Sequence, residues 1–254
     1  MPLTQEQIEA LLPAARKAIL ATQSASPAVL QRVLKLDWDS ANSLMEHFEG
    51  DLTSAPDKNG KRVILPQLLD LTHKQHPNNS YWVIPNSLLA GEYPGNPDAG
   101  TARRKLANYL HFGVDTFLDL TEDHELAPYD EILAELGAER SLNFVYRRMP
   151  IRDYDVPKHP AQMQAVLRQI DQWLLQRRRV YVHCWGGVGR TGTVVGCHLV
   201  NNGFNGEAAL AHLRLLWSRM SADKRRRKPE SPETEAQRNY VRAWAALSNS
   251  LEAE

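Results

Sequence analysis

A short apolar run, Val180-Tyr181-Val182, leads straight into His183-Cys184-Trp185-Gly186-Gly187-Val188-Gly189-Arg190-Thr191-Gly192, and an apolar helical pattern from Thr193 to Val200 follows at once. The stretch reads as a buried strand, a glycine-rich loop and a helix start. A loop of this kind is an anion site, because its backbone N–H groups turn inward and the helix N-terminus carries partial positive charge. This one feature constrains the fold most. It requires a strand that ends at a ligand and a helix that begins there.

The residues at the two ends of the loop narrow the chemistry. Cys184 opens it and Arg190 closes it, with five residues between them. A loop of that length curls round one phosphate-sized group, with the sulfur beneath the phosphorus. The N–H groups of Trp185, Gly186, Gly187, Val188, Gly189 and Arg190 face the three terminal oxygens, and the guanidinium takes two of them as a planar fork. The glycines allow the unusual dihedrals and close approach that the curl needs. A cysteine at a helix N-terminus beside an arginine is favoured as thiolate. Thr191 can donate its hydroxyl to that sulfur. The competing reading, a glycine-rich turn with a buried cysteine packed as a small hydrophobe, requires all these residues to coincide by chance.

The sequence HCWGGVGRT resembles the signature of the cysteine-dependent protein phosphatases, the superfamily of tyrosine and dual-specificity phosphatases. The resemblance covers about residues 80–245. It implies a phosphomonoester hydrolase that works through a cysteinyl-phosphate on Cys184 and needs neither metal nor organic cofactor. It implies that His183 is a structural hydrogen-bonding partner of the loop. Met149-Pro150-Ile151-Arg152-Asp153-Tyr154-Asp155-Val156-Pro157 resembles the family's movable acid loop, in which Asp153 takes the general-acid place ahead of Asp155. Ser231-Pro232-Glu233-Thr234-Glu235-Ala236-Gln237 resembles the late segment whose glutamine orients the hydrolytic water, so Gln237 is the candidate there. Glu233 departs from the glutamine often found at its position. The expected catalytic set is Cys184, Arg190 and Asp153, supported by His183, Thr191 and Gln237.

The need for an acid follows from chemistry as well. Expelling an alkoxide or phenoxide is slow unless the leaving oxygen is protonated. The segment with Asp153 and Asp155 follows the stretch Asn143 to Arg148, which reads as a strand. In a parallel sheet the carboxyl ends of strands are where ligands bind.

Strands are expected at Tyr81–Ile84, Leu88–Gly91, Thr116–Leu120, Asn143–Arg148 and Val180–Val182. Helices are expected at Thr101–Phe112 capped by Gly113, at Pro128–Leu136 ending at Gly137, and at Ala161–Gln176. After the loop come helices over Thr193–Asn202, Gly206–Met220 and Pro232–Leu247, the last with Ser231 as N-cap. Alternating strands and helices imply an α/β fold, a parallel-rich central sheet flanked by helices.

Residues 1–78 read as a helical N-terminal extension ahead of a catalytic domain over 79–248. Thr4 to Gln7 forms a capping box. Ser26-Pro27 starts a second helix and Asp39–Phe48 forms a third. Asp51–Arg62 is an exposed loop, and Leu65–His76 a short helix. His73 and His76 have metal-ligand spacing but no third ligand nearby, so they read as a solvated helix face. The segment is either an extension docked on the catalytic domain or a partner-binding region.

Lys plus Arg and Asp plus Glu each number 30 in 254 residues, so no basic excess points to nucleic acid. Two cysteines make no disulfide framework and suit a reducing compartment. No apolar run reaches the roughly 18 residues of a spanning helix, and the N-terminus lacks a signal-peptide pattern. A cytoplasmic location without membrane insertion is the expectation. Cys197 reads as a packed core thiol. Lys224-Arg225-Arg226-Arg227-Lys228 is the strongest charge run, either simply solvated or placed to attract an anionic substrate or membrane surface.

The resemblance implies a phosphorylated protein or a small phosphoester as substrate. The loop carries no lysine of the kind that lipid phosphatases of the superfamily use, which argues against a polyphosphoinositide. A phosphoinositide or nucleotide substrate is the alternative within the class. A catalytically silent phosphate-binding module, or a sulfur-transfer or arsenate-reducing enzyme, is the alternative outside it.

Overall fold

The computed structural model describes residues 3–22, 24–49, 52–62 and 76–252. The chain divides into two compact units, one formed by residues 1–72 with Leu199–Asn205, the other by the remainder.

The first unit holds three helices, α1 (Gln5–Thr22), α2 (Pro27–Leu34) and α3 (Trp38–Glu46). The capping box at Thr4 forms as the sequence predicts. The Thr4 N–H donates to Gln7 Oε1 at 2.9 Å, and the Gln7 N–H to Thr4 Oγ1 at 3.3 Å. Ser26 caps α2, with Pro27 at its first position where no N–H is missed. Asp37 caps α3 by accepting from the Ser40 N–H at 2.8 Å. Ile19, Leu30, Leu44, Met45 and Leu52 form the core of this unit. Most of the helix expected over Leu65–His76, including His73, lies outside the described residues.

The second unit is built on a five-stranded sheet: β1 (Ser80–Ile84), β2 (Leu88–Gly91), β3 (Thr116–Asp119), β4 (Val145–Arg148) and β5 (Val180–His183), in the order β1-β2-β5-β3-β4. β1 runs antiparallel to β2, and every other pair is parallel. β5 is the central strand and all four of its residues are buried. Such a strand reads as a continuous apolar run rather than an alternation, which is why Val180-Tyr181-Val182 is recognisable.

The register aligns the carboxyl ends. Gly91 pairs with His183, His183 with Asp119, and Asp119 with Arg148. The four chain segments that leave these residues therefore emerge side by side at one edge of the sheet. They carry Glu92, Cys184, Glu125 and Asp153.

Helices cover the sheet: α4 (Ala99–His111), α5 (Asp130–Arg140), α6 (Pro160–Leu175), α7 (Gly189–Asn201), α8 (Gly206–Trp217), α9 (Ala222–Arg227) and α10 (Glu235–Glu252). α6 buries Met163, Val166, Leu167, Ile170 and Trp173, each worth roughly 1.5–3 kcal/mol relative to exposure. It packs on β5 and α10. Tyr109, Phe117, Tyr129 and Tyr181 join one aromatic cluster on the other side of the strands.

Several helix boundaries differ from the sequence expectation, α7 among them, which begins at Gly189 and not Thr193, and three of the differences have a local cause. Gly137 does not end α5, which runs on to Arg140. A side chain at Gly137 would meet the Leu142 carbonyl oxygen at 2.9 Å and the Phe144 ring, so the glycine serves close packing and not a cap. The helix expected over Gly206–Met220 stops at Trp217, and the basic run forms the separate short helix α9 capped by Ser221. α10 begins at Glu235, and Thr234 rather than Ser231 caps it. The Gln237 N–H donates to Thr234 Oγ1 at 3.2 Å and the Thr234 N–H to Gln237 Oε1 at 3.1 Å, a complete capping box.

Candidate active site

Cys184 follows the last residue of β5, and α7 begins at Gly189, so Arg190 and Thr191 lie in the first helical turn. The loop between them is pinned from several sides. The Tyr93 N–H donates to the Trp185 carbonyl at 2.9 Å, the Leu120 N–H to the His183 carbonyl at 2.9 Å, and the Ser231 hydroxyl to the Val188 carbonyl at 2.8 Å. Gly187 has φ +71°, and a Cβ there would lie 2.5 Å from the Gly91 carbonyl oxygen. Only glycine fits that conformation against that neighbour. Cys184 is buried, and Trp185 is 57% exposed at the rim.

Arg190 is fully buried and held by a carboxylate that the sequence reading missed. Its Nη1 lies 2.7 Å from Glu125 Oε2 and its Nη2 2.6 Å from Glu125 Oε1. Nη1 also donates to the carbonyls of Ile151 (3.2 Å) and Leu120 (3.4 Å). Burial works against the charged guanidinium. The Glu125 hydrogen bonds and the charges of Cys184, Glu125 and Asp153 outweigh it and raise its pKa. Burial likewise pushes the Glu125 carboxyl up, and Arg190 with the Glu122 N–H brings it below its ordinary value. Arg190 Nε is buried and has no partner among the described residues. Glu125 could have been found in sequence as one of three carboxylates, with Glu122 and Asp123, in the segment that leaves a strand at the active edge.

Asp153 Oδ1 is 2.9 Å from Arg190 Nη2, so the acid loop brings this carboxylate to the phosphate-binding guanidinium. Asp155 faces other work. Its Oδ1 accepts from the Val156 N–H at 2.8 Å and its carbonyl accepts from Gln237 Nε2 at 3.1 Å. Gln237 is fully buried, and a Cβ on Gly189 would lie 2.8 Å from its Nε2. The residue therefore sits against the loop, with one end of its amide in the α10 cap and the other on the acid loop.

His183 is buried, with Nε2 2.7 Å from the Tyr129 hydroxyl and Nδ1 3.8 Å from Asp119 Oδ1. Burial lowers its pKa to about 4 against the pull of Asp119, so the ring is neutral near pH 7. Asp119 is itself held by the Thr121 N–H and hydroxyl, the Tyr146 hydroxyl and Arg148. Burial pushes its carboxyl up, and the positive charge available at His183 with these hydrogen bonds carries it below its ordinary value. The Thr191 hydroxyl is buried without a partner among the described residues. The hydrogen bond to sulfur expected from the sequence is not formed here. Cys197 is a buried free thiol whose pKa burial raises.

Two cavities adjoin the loop, of about 350 Å³ and 280 Å³. Trp185, Gly186, Lys224 and Arg227 line both. Lys105 and Glu92 line the first, and Asp153 the second. The basic run thus stands at the mouth of the site. Among the described residues no helix is long and apolar enough to cross a membrane.

Comparison with known proteins agrees with this geometry. The sequence profile of the Swiss Army Knife protein DSP-PTPase phosphatase domain matches residues 77–241. The chain is 27% identical over 166 residues to the phosphatidylinositol 3,4,5-trisphosphate 3-phosphatase and protein-tyrosine-phosphatase PTEN1 of Arabidopsis thaliana, covering 65% of this chain and 37% of that protein. It is 43% identical over 65 residues to tyrosine-protein phosphatase 69D of Drosophila melanogaster, covering 24% of this chain and 4% of that protein. The chain thus spans well under half the length of either relative. The crystal structure of PTPMT1 in complex with PI(5)P superposes with a TM-score of 0.51 at 16% identity, over 70% of this chain and all of that one, a likeness of fold. With most of the chain matched by the profile, this protein belongs to the DSP-PTPase phosphatase domain family.

Proposed function

We propose that this protein is a cysteine-dependent phosphomonoester hydrolase, acting as a tyrosine or dual-specificity phosphatase. The observation that carries the reading is the convergence at one edge of the sheet of two separate segments, the loop with Cys184 and Arg190 and the acid loop with Asp153. Both curated relatives are described as tyrosine phosphatases, and the first also as a phosphoinositide phosphatase.

In the first step the Cys184 thiolate attacks phosphorus in line. The loop N–H groups and Arg190 hold the three terminal oxygens as charge redistributes. Asp153, in its acid form, gives its proton to the leaving oxygen as the P–O bond breaks. Phosphorus is then bonded to sulfur, and the alcohol departs. In the second step Asp153, now carboxylate, takes a proton from water as that water attacks phosphorus. The P–S bond breaks, inorganic phosphate leaves and the thiolate is restored.

Arg190 performs its part through geometry fixed in advance. Glu125 takes one edge of the guanidinium and leaves Nε for the incoming phosphate. A phosphate dianion in the cup competes with Asp153 for Nη2, which frees the acid to move onto the leaving oxygen. Gln237 links the same acid loop to the α10 cap, which supports a role in placing the loop during the hydrolytic step.

The test is turnover of para-nitrophenyl phosphate by the full chain and by Cys184→Ser. The reading expects steady phosphate release by the first and none by the second, with oxyanion binding kept. Absence of turnover in the unaltered protein, with phosphate still bound, would instead identify a silent phosphate-binding module.

A further inference from the structure

The first cavity beside the loop holds more positive charge than its own carboxylate can balance. Lys105, Lys224 and Arg227 line it, and Glu92 is the one acidic side chain among its lining residues. Lys224 Nζ pairs with Glu92 Oε2 at 3.1 Å. Lys105 is half-buried, and its Nζ donates to the carbonyls of Tyr93 (2.9 Å) and Gly95 (3.4 Å). Arg227 Nε reaches only the Asp223 carbonyl, at 3.4 Å. Among the described residues neither Lys105 nor Arg227 has a carboxylate partner.

An ion cluster that only supported the fold would be near neutral, since a half-buried ammonium without a counter-charge is costly. Burial lowers the Lys105 pKa, and neighbouring Lys224 lowers it further against the pull of Glu92. Three cations against one anion leave an excess of two positive charges, which one phosphate dianion neutralises.

The position of the cluster matters as much as its charge. Lys224 Nζ lies 3.7 Å from where a Cβ on Gly186 would stand, so this ammonium forms part of the wall of the phosphate cup. An anion on Lys224 beside a phosphate held by this loop calls for a compact scaffold that carries both. Exposed Trp185 and Gly186 border both cavities, and Asp153 borders only the second. The leaving oxygen therefore lies toward the second cavity and Lys105 toward the first, with Lys224 and Arg227 on the border between them.

We propose that Lys105, Lys224 and Arg227 form a second anion subsite, and that the favoured substrate is a compact scaffold carrying two or more phosphates, one in the cup and one on these cations. The assignment rests on phosphomonoester hydrolysis at Cys184. It explains how a loop without lysines meets a polyanion: the cations come from α4 and α9 instead. A phosphorylated cyclic polyol has this chemistry, whether free or as a lipid headgroup. In a doubly phosphorylated peptide the second phosphate stands a side chain's length from the first.

The experiment compares kcat/KM for four probes: a myo-inositol monophosphate, a myo-inositol bisphosphate with neighbouring phosphates, the same bisphosphate as the headgroup of a dioctanoyl lipid, and a peptide with adjacent phosphothreonine and phosphotyrosine. Para-nitrophenyl phosphate is run in parallel. The subsite predicts a preference of about tenfold or more for a bisphosphorylated polyol over the monophosphate, the worth of one charge-assisted hydrogen bond. Lys105→Gln and Arg227→Gln each reduce that preference through KM, and Lys105→Arg restores most of it. A better result with the soluble or the lipid form identifies the source of the scaffold, and either supports the subsite. Equal use of mono- and bisphosphate, a preference unchanged in the variants, or strongest use of the peptide overturns the proposal while the phosphatase reading stands. Failure to turn over para-nitrophenyl phosphate falls on that reading instead. The subsite is then read from inositol bisphosphate affinity, which Lys105→Gln must weaken if the assignment is right.

Discussion

Both carboxylate oxygens of Glu125 face both terminal nitrogens of Arg190, at 2.7 and 2.6 Å. The pair joins the segment leaving β3 to the first turn of α7, and it presents the guanidinium to the cup in one fixed plane. The arginine side chain is 1% exposed and the glutamate 13%. Removing Glu125 leaves Asp153 as the remaining carboxylate on the buried guanidinium, so the cost is at most the about 3–5 kcal/mol of a fully broken buried pair. Glu125→Ala is therefore expected to lower Tm substantially. Glu125→Gln keeps one acceptor and the shape, and should lower kcat/KM for aryl phosphates by about tenfold to a hundredfold with a smaller loss of Tm. Thermal melts and steady-state kinetics on the two variants check this. Unchanged kinetics in Glu125→Gln would remove Glu125 from the positioning of Arg190.

Asp153 and Asp155 are separated by what already occupies them. Asp153 meets Arg190, whereas the Asp155 carboxylate closes a local turn onto Val156. Asp153→Asn should slow alkyl phosphates, which have poor leaving groups, by about a hundredfold or more while slowing activated aryl phosphates less. Asp155→Asn should show no such dependence on leaving group. A dependence seen in Asp155→Asn and absent in Asp153→Asn reverses the assignment.

Gln237 supplies an acceptor to the α10 cap and a donor to the acid loop. Gln237→Glu keeps the acceptor and loses the donor. Its kcat should fall more than KM rises, and its Tm should fall because the new carboxylate is buried against the Asp155 carbonyl oxygen. Gln237→Ala loses the cap, which costs about 1 kcal/mol, and should lower Tm as well. An unchanged Tm in Gln237→Ala would show that the cap contributes nothing.

His183 makes stability depend on acid. The unfolded imidazole takes a proton near 6.5, and the buried ring only near about 4. Between these values the unfolded chain binds more protons than the folded one, so stability falls as pH is lowered through that window. The full effect is on the order of 3 kcal/mol. Melts between pH 7.5 and 5 should show Tm falling with pH, and falling less steeply in His183→Gln. Parallel slopes would mean that other groups carry the acid sensitivity.

Much of the site was legible in sequence because its parts are local. Cys184, Arg190 and the glycines lie in one stretch, and β5 is a run of buried residues with a plain apolar signal. Asp153 was legible once the strand before it was recognised. Glu125 and Tyr129 were not singled out, because their partners stand 65 and 54 residues away and nothing local shows which of Glu122, Asp123 and Glu125 meets Arg190. The start of α10 was misplaced because Ser231-Pro232 and Thr234 with Gln237 are both valid helix openings, and only the hydrogen bonds choose between them. The short basic helix α9 has no buried residue, so it offers no apolar period, and its place beside the cup comes from tertiary structure alone.

The central claim is that phosphorus passes through the Cys184 sulfur. Mixing the protein with a phosphorus-labelled aryl phosphate and quenching in acid within milliseconds tests it directly. The account predicts label bound to protein, located on the peptide containing Cys184, formed no more slowly than phosphate is released and absent in Cys184→Ser. Turnover without any protein-bound label, or label and turnover that persist in Cys184→Ser, would contradict it.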